Sequence, residues 1–422
     1  MLKRERQHLT KRMRRTWPQR AVLLLGTGVF AGCLLGGAGI WYGNGRLGQI
    51  QRVDIRTAAG TQITTTSTTV VGRSTTTEEP VPEGTITAKN FLIVGSDSRE
   101  CIEPDSPFAG AFLAGGDTGY NSDSIMMIRV DPTSSQAALL SFPRDLWVKL
   151  PGTNASGKIN SVYSPGNPSR LVQAIELNFK VKVDHYIDVD FCAFKDIVDA
   201  VGGVSVPFAY LTRDTHTGLD VAAGCHKFAG DEALAYVRSR YYEYFDTKAK
   251  SWISDLDSDY GRIARQQDFI RRAMYRAIDS GARSPATSRK LLNAALKRVK
   301  VDRELTVNDM LLLVSKLRNF DPARLKTYRY DGPFGDRAGQ SVVLPAEGYG
   351  PNVAILALFR GEVRLDDSPF AADLPTGSSS TSSSTSPPTT SALSGSSTTT
   401  TAVIRINDNR KGVAPPDDPS CR

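Results

Sequence analysis

Apolar positions gather in one region of the chain, about 86–365, and thin out on either side of it. Phe91, Leu92, Ile93 and Val94 form a short apolar run that ends in Gly95-Ser96-Asp97-Ser98-Arg99. A second run covers 125–130 and a third 137–142, with the turn formers Asp131-Pro132 between them. Short connections predict an antiparallel meander. The end of the first strand, the start of the second and the end of the third then share one sheet edge, which brings Asp97, Asp123 and Arg144 together. Downstream the pattern predicts a helix over 168–179, a strand over 183–189, a helix over 191–201 and a strand over 204–208. Helices follow at about 230–239, 259–281, 286–299 and 306–318, then a strand over 325–330 and a closing helix over 351–359. Residues 158–163 read as a polar loop. Strands interleaved with helices predict an α/β sandwich with a central mixed sheet. A region of about 280 residues is long enough to bury a substantial core as one domain.

The flanks differ in kind. The first twenty residues hold eight Lys and Arg against the single acid Glu5, a charge of +7, so the net charge of +8 leaves about +1 for the rest. The basic balance is therefore no argument for nucleic acid, and none is expected as a partner. Positions 21–40 carry no charge and are followed by Trp41 and Tyr42. About 20 apolar residues span a bilayer, and a basic leader marks the cytoplasmic side. The expectation is a cytoplasmic leader (1–20), a single-pass anchor in the cytoplasmic membrane (21–43) and a Thr-rich extracytoplasmic linker (44–85), followed by a folded domain (86–366). Residues 367–422, rich in Ser, Thr and Pro, read as a tail without a core, dispensable for stability and chemistry. Cys33 lies in the anchor; Cys101, Cys192, Cys225 and Cys421 lie outside, where three disulfide pairings are open.

Candidate chemistry concentrates at two places. In 228–270, Arg238, Arg240, Arg262 and Arg265 recur with Gln266 and Gln267. At about 100° per residue, Ile263, Ile270, Met274 and Ile278 share one helix face, with Arg262, Gln266 and Phe269 on its shoulder. Arginine forks bind phosphate oxygens bidentately, so several around one pocket suit a multiply charged phosphate; a solvated basic face is the plain alternative. The other place is the sheet edge. Two converging carboxylates, Asp97 and Asp123, repel unless a cation sits between them, and Mg²⁺ completed by substrate phosphates fits. Each Asp alone also suits a turn. The four histidines show no metal spacing, and no nucleophile elbow or phosphate-binding glycine loop is present.

Taken in order, NFLIVGSDSR, NSDSIMMIRVDP, SFPRDLWV, KINSVY, DFCAFKDIVDAVGGVSV, GDEALAYVRSR and DYGRIARQQDF resemble the LytR-CpsA-Psr proteins of bacterial cell envelopes. The resemblance covers about 90–273. It implies an α-β-α sandwich fold with an apolar tunnel for a polyprenyl chain. The activity it implies is transfer of a glycopolymer from a polyprenyl-pyrophosphate carrier onto peptidoglycan, through a phosphodiester. Carried over, the Mg²⁺-associated aspartates fall on Asp97 and Asp123, and the pyrophosphate-binding residues on Arg144, Arg238, Arg240 and Arg262, with Gln266 alongside. Arg99, Asp145 and Asp259 also occupy motif positions. Many members have Arg where this chain has Asn121; Arg99 or Arg129 is offered as the compensating charge. A lipid pyrophosphatase and a non-catalytic lipid-carrier-binding envelope protein are the competing expectations.

Overall fold

The three expected strands form the middle of a seven-stranded sheet in the computed structural model. Its strands are β1 (Gln51–Val53), β2 (Lys89–Ser96), β3 (Ser122–Asp131), β4 (Gln136–Phe142), β5 (His185–Asp190), β6 (Lys300–Asp302) and β7 (Lys326–Arg329). The spatial order is β1-β6-β5-β2-β3-β4-β7. The meander β2-β3-β4 is antiparallel, whereas β5 joins β2 and β7 joins β4 in parallel, so the sheet is mixed. The structure describes residues 51–55, 88–97, 101, 105, 106, 108, 122–283, 298–306, 309, 313, 320–365, 413–416 and 418–421. The anchor expected at 21–43 lies outside them, as does most of the helices expected at 286–299 and 306–318. Among the described residues no helix is long and apolar enough to cross a membrane.

Every residue of β4 is buried, as a central strand covered on both faces must be. On one face Leu92, Val94, Met127 and Leu140 join a core with α1 (Ser169–Phe179) and α5 (Gly350–Arg360), through Leu171, Ile175, Phe179, Ile355 and Phe359. A second apolar cluster joins α2 (Phe191–Ala200), the paired strands Val204–Phe208 and Gly224–Phe228, and α3 (Gly230–Arg238). Helix α4 (Asp259–Arg283) runs between the two. Its Gln267 Nε2 donates to Ser141 Oγ (2.9 Å) and to the Tyr328 carbonyl (2.7 Å) on the sheet, while Phe269 sits in the second cluster.

That placement corrects the helical-wheel expectation for α4. Ile278 is 38% exposed, while Arg262, Arg265, Gln267 and Arg271 are all buried. A helix packed on two sides has little water-facing surface, so polar side chains go inside wherever carbonyls and carboxylates can meet them. Two further differences concern short elements. The expected loop at 158–163 is the end of a strand, Ser156–Lys158, and a 3-10 turn, Ile159–Val162, with Ile159 and Val162 buried. The acidic insert after Arg240 is a hairpin, Glu243–Asp246 with Ser251–Ser254, within a four-stranded sheet with Thr212–Asp214 and Leu219–Val221.

The disulfides pair Cys101 with Cys192 and Cys225 with Cys421. The second ties the far end of 367–422, read as a tail without a core, to the domain, while 367–412 lie outside the described residues. At that end Arg272 Nη2 donates to the Pro416 carbonyl (3.0 Å), and Val413 packs against the second cluster. Distant cysteines and single backbone contacts leave no apolar periodicity, which is why the pattern gave no sign of this docking.

Candidate functional site

The sheet edge expected to gather the chemistry is built as the meander requires. Ser96, the last residue of β2, pairs with Ser122 at the start of β3 and, on its other side, with Asp190 at the end of β5. Between Gly95 and Ser96 the register shifts: Gly95 faces Ser124 and Ser96 faces Ser122, so Asp123 is the extra residue of a β-bulge. Bulges release a residue from the strict alternation of a strand and recur beside functional sites. The bulge's strand neighbour is tight, since a Cβ on Gly95 would lie 3.1 Å from Ser124 Cβ. Beneath the edge, buried Asp188 accepts from Ser96 Oγ (2.7 Å) and Tyr163 Oη (2.9 Å). Burial, reinforced by this carboxylate, holds the Tyr163 hydroxyl well above its usual pKa, so it stays a donor. These bonds fix the strand end from which Asp97 projects. The side chain of Asp123, and residues Arg99 and Asn121, lie outside the described residues.

Arg144 follows β4 in a turn buttressed from two directions. The Asn160 amide donates to the Arg144 carbonyl (3.2 Å), and the Val343 amide to the Asp145 carbonyl (3.0 Å). Val343 belongs to the hairpin Phe334–Arg337 with Gln340–Val343, which thereby docks on the turn. The Asp145 carboxylate lies 3.4 Å from Arg144 Nε and 2.8 Å from Lys158 Nζ.

A second carboxylate gathers two of the expected arginines. Asp259, the first residue of α4, lies 2.7 Å from Arg262 Nη2 and 3.0 Å from its Nε, and 3.6 Å from Arg240 Nε. A carboxylate in a helix's first turn also faces the positive end of the helix dipole. Next to it, Tyr260 donates to the Gly332 carbonyl (2.9 Å), and burial pushes its hydroxyl up to about 12 against the opposing pull of Arg329. The two arrangements meet at one cleft of about 350 Å³, lined by Arg144, Asp145, Lys158 and Asp259 on the charged side and by Phe334, Val342 and Val343 on the apolar side.

The remaining expected residues stand behind or beside this cleft. Arg238, at the end of α3, lays its guanidinium over the Phe191 ring at 4.5 Å, and Phe191 follows directly on the β5 edge. Gln266 is buried and donates through Nε2 to the Val237 carbonyl (3.0 Å), bracing the end of α3. Arg265 is fully buried and paired with Asp255, away from the cleft. Arg129, offered as a substitute for the charge missing at Asn121, bonds Asn90 Oδ1 (3.1 Å) and pairs with it at the opposite end of the strands. Lys158, in the stretch expected to be a polar loop, is a cleft residue that the sequence pattern does not single out. Its signal was the alternation Ser156-Gly157-Lys158 opposite Trp147-Val148-Lys149, too short to stand out. Among the described residues no three His, Cys, Asp or Glu side chains gather as a preformed metal cage.

The LytR_cpsA_psr family profile matches residues 57–348. Among curated proteins, the chain is 35% identical over 198 residues to "Probable cell wall biosynthesis protein LcpB" of Corynebacterium glutamicum, covering 47% of this chain and 43% of that protein. It is 33% identical over 215 residues to "Polyisoprenyl-teichoic acid--peptidoglycan teichoic acid transferase TagU" of Bacillus cereus, covering 50% and 56%. The chain thus spans about half the length of the curated relatives it matches. Among solved structures, the "LytR-Csp2A-Psr enzyme from Actinomyces oris" shares the fold at a TM-score of 0.52 and 22% identity, over 74% of this chain and 95% of that one.

Proposed function

The chain belongs to the LytR_cpsA_psr family, and on that premise we propose that it transfers a glycopolymer from a polyprenyl-pyrophosphate carrier onto peptidoglycan. The observation that carries the reading is the cleft. Arg144 and Lys158 line it beside Asp145, and Arg240 and Arg262 gather behind Asp259, which lines it too. Guanidinium and ammonium groups gathered about one cleft suit the oxygens of a diphosphate ester. The names of the relatives, a cell wall biosynthesis protein and a teichoic acid transferase, support the same class of reaction.

In the proposed reaction an acceptor hydroxyl oxygen on peptidoglycan attacks the phosphorus that carries the glycan. The new bond is that phosphorus to the acceptor oxygen. The bond that breaks joins the phosphorus to the bridging oxygen, and polyprenyl phosphate leaves with the bonding pair. The hydroxyl proton passes to a carboxylate, Asp97 or Asp123. Arg144, Arg240 and Arg262 neutralise the phosphoryl oxygens, and Arg238 extends the same cationic rim; charge stabilisation dominates such transfers. Arg99 is proposed to add to it. The apolar wall of Phe334, Val342 and Val343 suits the start of the polyprenyl chain.

Mg²⁺ takes one or two carboxylates with water and phosphate oxygens, and the residues Asp97 and Asp123 stand at one end of the paired strands β2 and β3. Asp97 and Asp123 would hold it, and when bound it supplies further neutralisation of phosphate charge. We also propose that 21–43 anchors the chain in the cytoplasmic membrane with the domain outside, because the +7 leader precedes an uncharged apolar run.

The test is turnover of purified full-length protein with a synthetic polyprenyl-pyrophosphate glycan and peptidoglycan fragments. A glycan–phosphate–peptidoglycan product is expected, with Asp97→Asn needing much higher Mg²⁺ for its residual rate. Release of free glycan phosphate instead would make the protein a lipid pyrophosphatase. Tight binding without product would make it a carrier-binding protein. Either outcome overturns the transferase reading.

A further inference from the structure

The backbone that carries Arg240 is held by a buried polar frame that the proposed reaction does not explain. Asp214, in the strand Thr212–Asp214, is fully buried. Its Oδ2 accepts from Ser239 Oγ (2.6 Å), the Arg240 amide (3.1 Å) and the Tyr241 amide (3.0 Å). Its Oδ1 accepts from the His216 amide (2.9 Å). From the other side, Arg265 Nη2 donates to the Ser239 carbonyl (2.9 Å) while Nη1 pairs with Asp255 Oδ2 at 2.6 Å. The Arg265 guanidinium also lies over the Tyr242 ring at 4.3 Å. This ion pair takes the space beside the first turn of α4: a Cβ on Gly261 would fall 2.0 Å from Asp255 Oδ2. The distal C-terminal segment closes the frame. The Val413 amide donates to Asp255 Oδ2 (3.4 Å), and its carbonyl accepts from Arg265 Nη1 (3.3 Å).

Buried ion pairs are poor stabilisers, because desolvation offsets most of their attraction and an apolar replacement is often as stable. What they do supply is a fixed geometry. Here the fixed object is the turn 239–241, with Arg240 at its centre, whose side chain then reaches Asp259, the same carboxylate that holds Arg262. We infer that Asp214, Asp255 and Arg265 are positioning residues that set the Arg240 guanidinium at the cleft, and that Val413 of the C-terminal segment completes their frame. The inference rests on the reading of the cleft as the pyrophosphate site.

Misplacing a charged donor by about an ångström costs roughly up to a hundredfold in rate. In full-length protein, Asp255→Asn and Val413→Pro weaken the frame without touching the cleft, and Ser239→Ala removes one donor to Asp214. Donor and acceptor kinetics are measured together with amide exchange at Arg240 and Tyr241 and the folded fraction by circular dichroism. The expected result is a fall in kcat/KM for the pyrophosphate donor of roughly ten- to a hundredfold, an unchanged acceptor KM, and faster exchange at both amides in folded protein. Folded variants with unchanged donor kinetics and exchange overturn the inference. So does a loss shared equally by donor and acceptor. If the wild type transfers nothing, the functional reading fails, and the exchange rates alone decide whether the frame holds the turn.

Discussion

Arg240 and Arg262 share the carboxylate of Asp259 but differ in burial, so replacing each in turn separates turnover from stability. The Arg262 side chain is 3% exposed and touches Asp259 twice, at 2.7 and 3.0 Å. Breaking a buried pair costs about 3–5 kcal/mol, mostly because the remaining charge is stranded. Asp259 is 18% exposed and keeps Arg240 at 3.6 Å, so it is not wholly stranded. The lower end applies: Arg262→Ala should cost about 3 kcal/mol, or roughly 5 °C in Tm for a domain of this size. Arg240 is 30% exposed with one long contact, and its replacement by Ala should cost under about 1 kcal/mol. Yet its turnover should fall by roughly 10²–10³, the loss typical of one preorganised charged donor. Arg240→Lys should be nearly as damaging, because an ammonium lacks the planar two-point contact. Thermal melts paired with single-turnover assays on the three variants check this. Folded Arg240→Ala with near wild-type turnover, or with the stability loss assigned to Arg262→Ala, would refute the division of roles.

Two further outcomes follow from burial and connectivity. Cys421→Ser opens a loop closed across 196 residues, and loop closure on this scale is worth on the order of 4 kcal/mol; an unchanged Tm would show the C-terminal segment does not hold the domain. Asp190 caps α2 by accepting from the Ala193 amide (2.6 Å), and burial raises its carboxyl pKa in the fold. A raised acid binds its proton more tightly folded than unfolded, so the charged form is a burden at neutral pH that protonation relieves in acid. Asp190→Asn keeps the cap and removes the charge. Its Tm should equal or exceed wild type at pH 7, with the gap closing below about pH 4; a gap that widens in acid would reverse the assignment.

What the sequence disclosed was set by how each feature writes itself into local pattern. The meander, α1, α2, α3, α4 and α5 were legible because apolar runs and periodicity record burial on one face. From the meander alone the shared edge of Asp97, Asp123 and Arg144 follows. The bulge at Asp123 was not legible, because a register shift depends on the partner strand. Nor was the burial of Arg265 and Gln267, since a wheel finds the apolar face and takes the polar one as wet. Lys158 entered the cleft through a three-residue strand pair that leaves no periodic trace. The pairing of Cys225 with Cys421 needed the distance between them, which spacing along the chain does not contain.

That pairing also changes what the Ser/Thr/Pro tract is. Leu365 is buried and its carbonyl accepts from Lys326 Nζ (2.9 Å), while Cys421 is covalently held. The stretch from 366 to 412 therefore has both ends moored to one body and is a bight of chain with no free end. Changes of length or composition there leave both of its moorings, at Leu365 and Cys421, in place. A proteolytic cut within it would leave two polypeptides still joined through sulfur, with Val413 still seated on the domain.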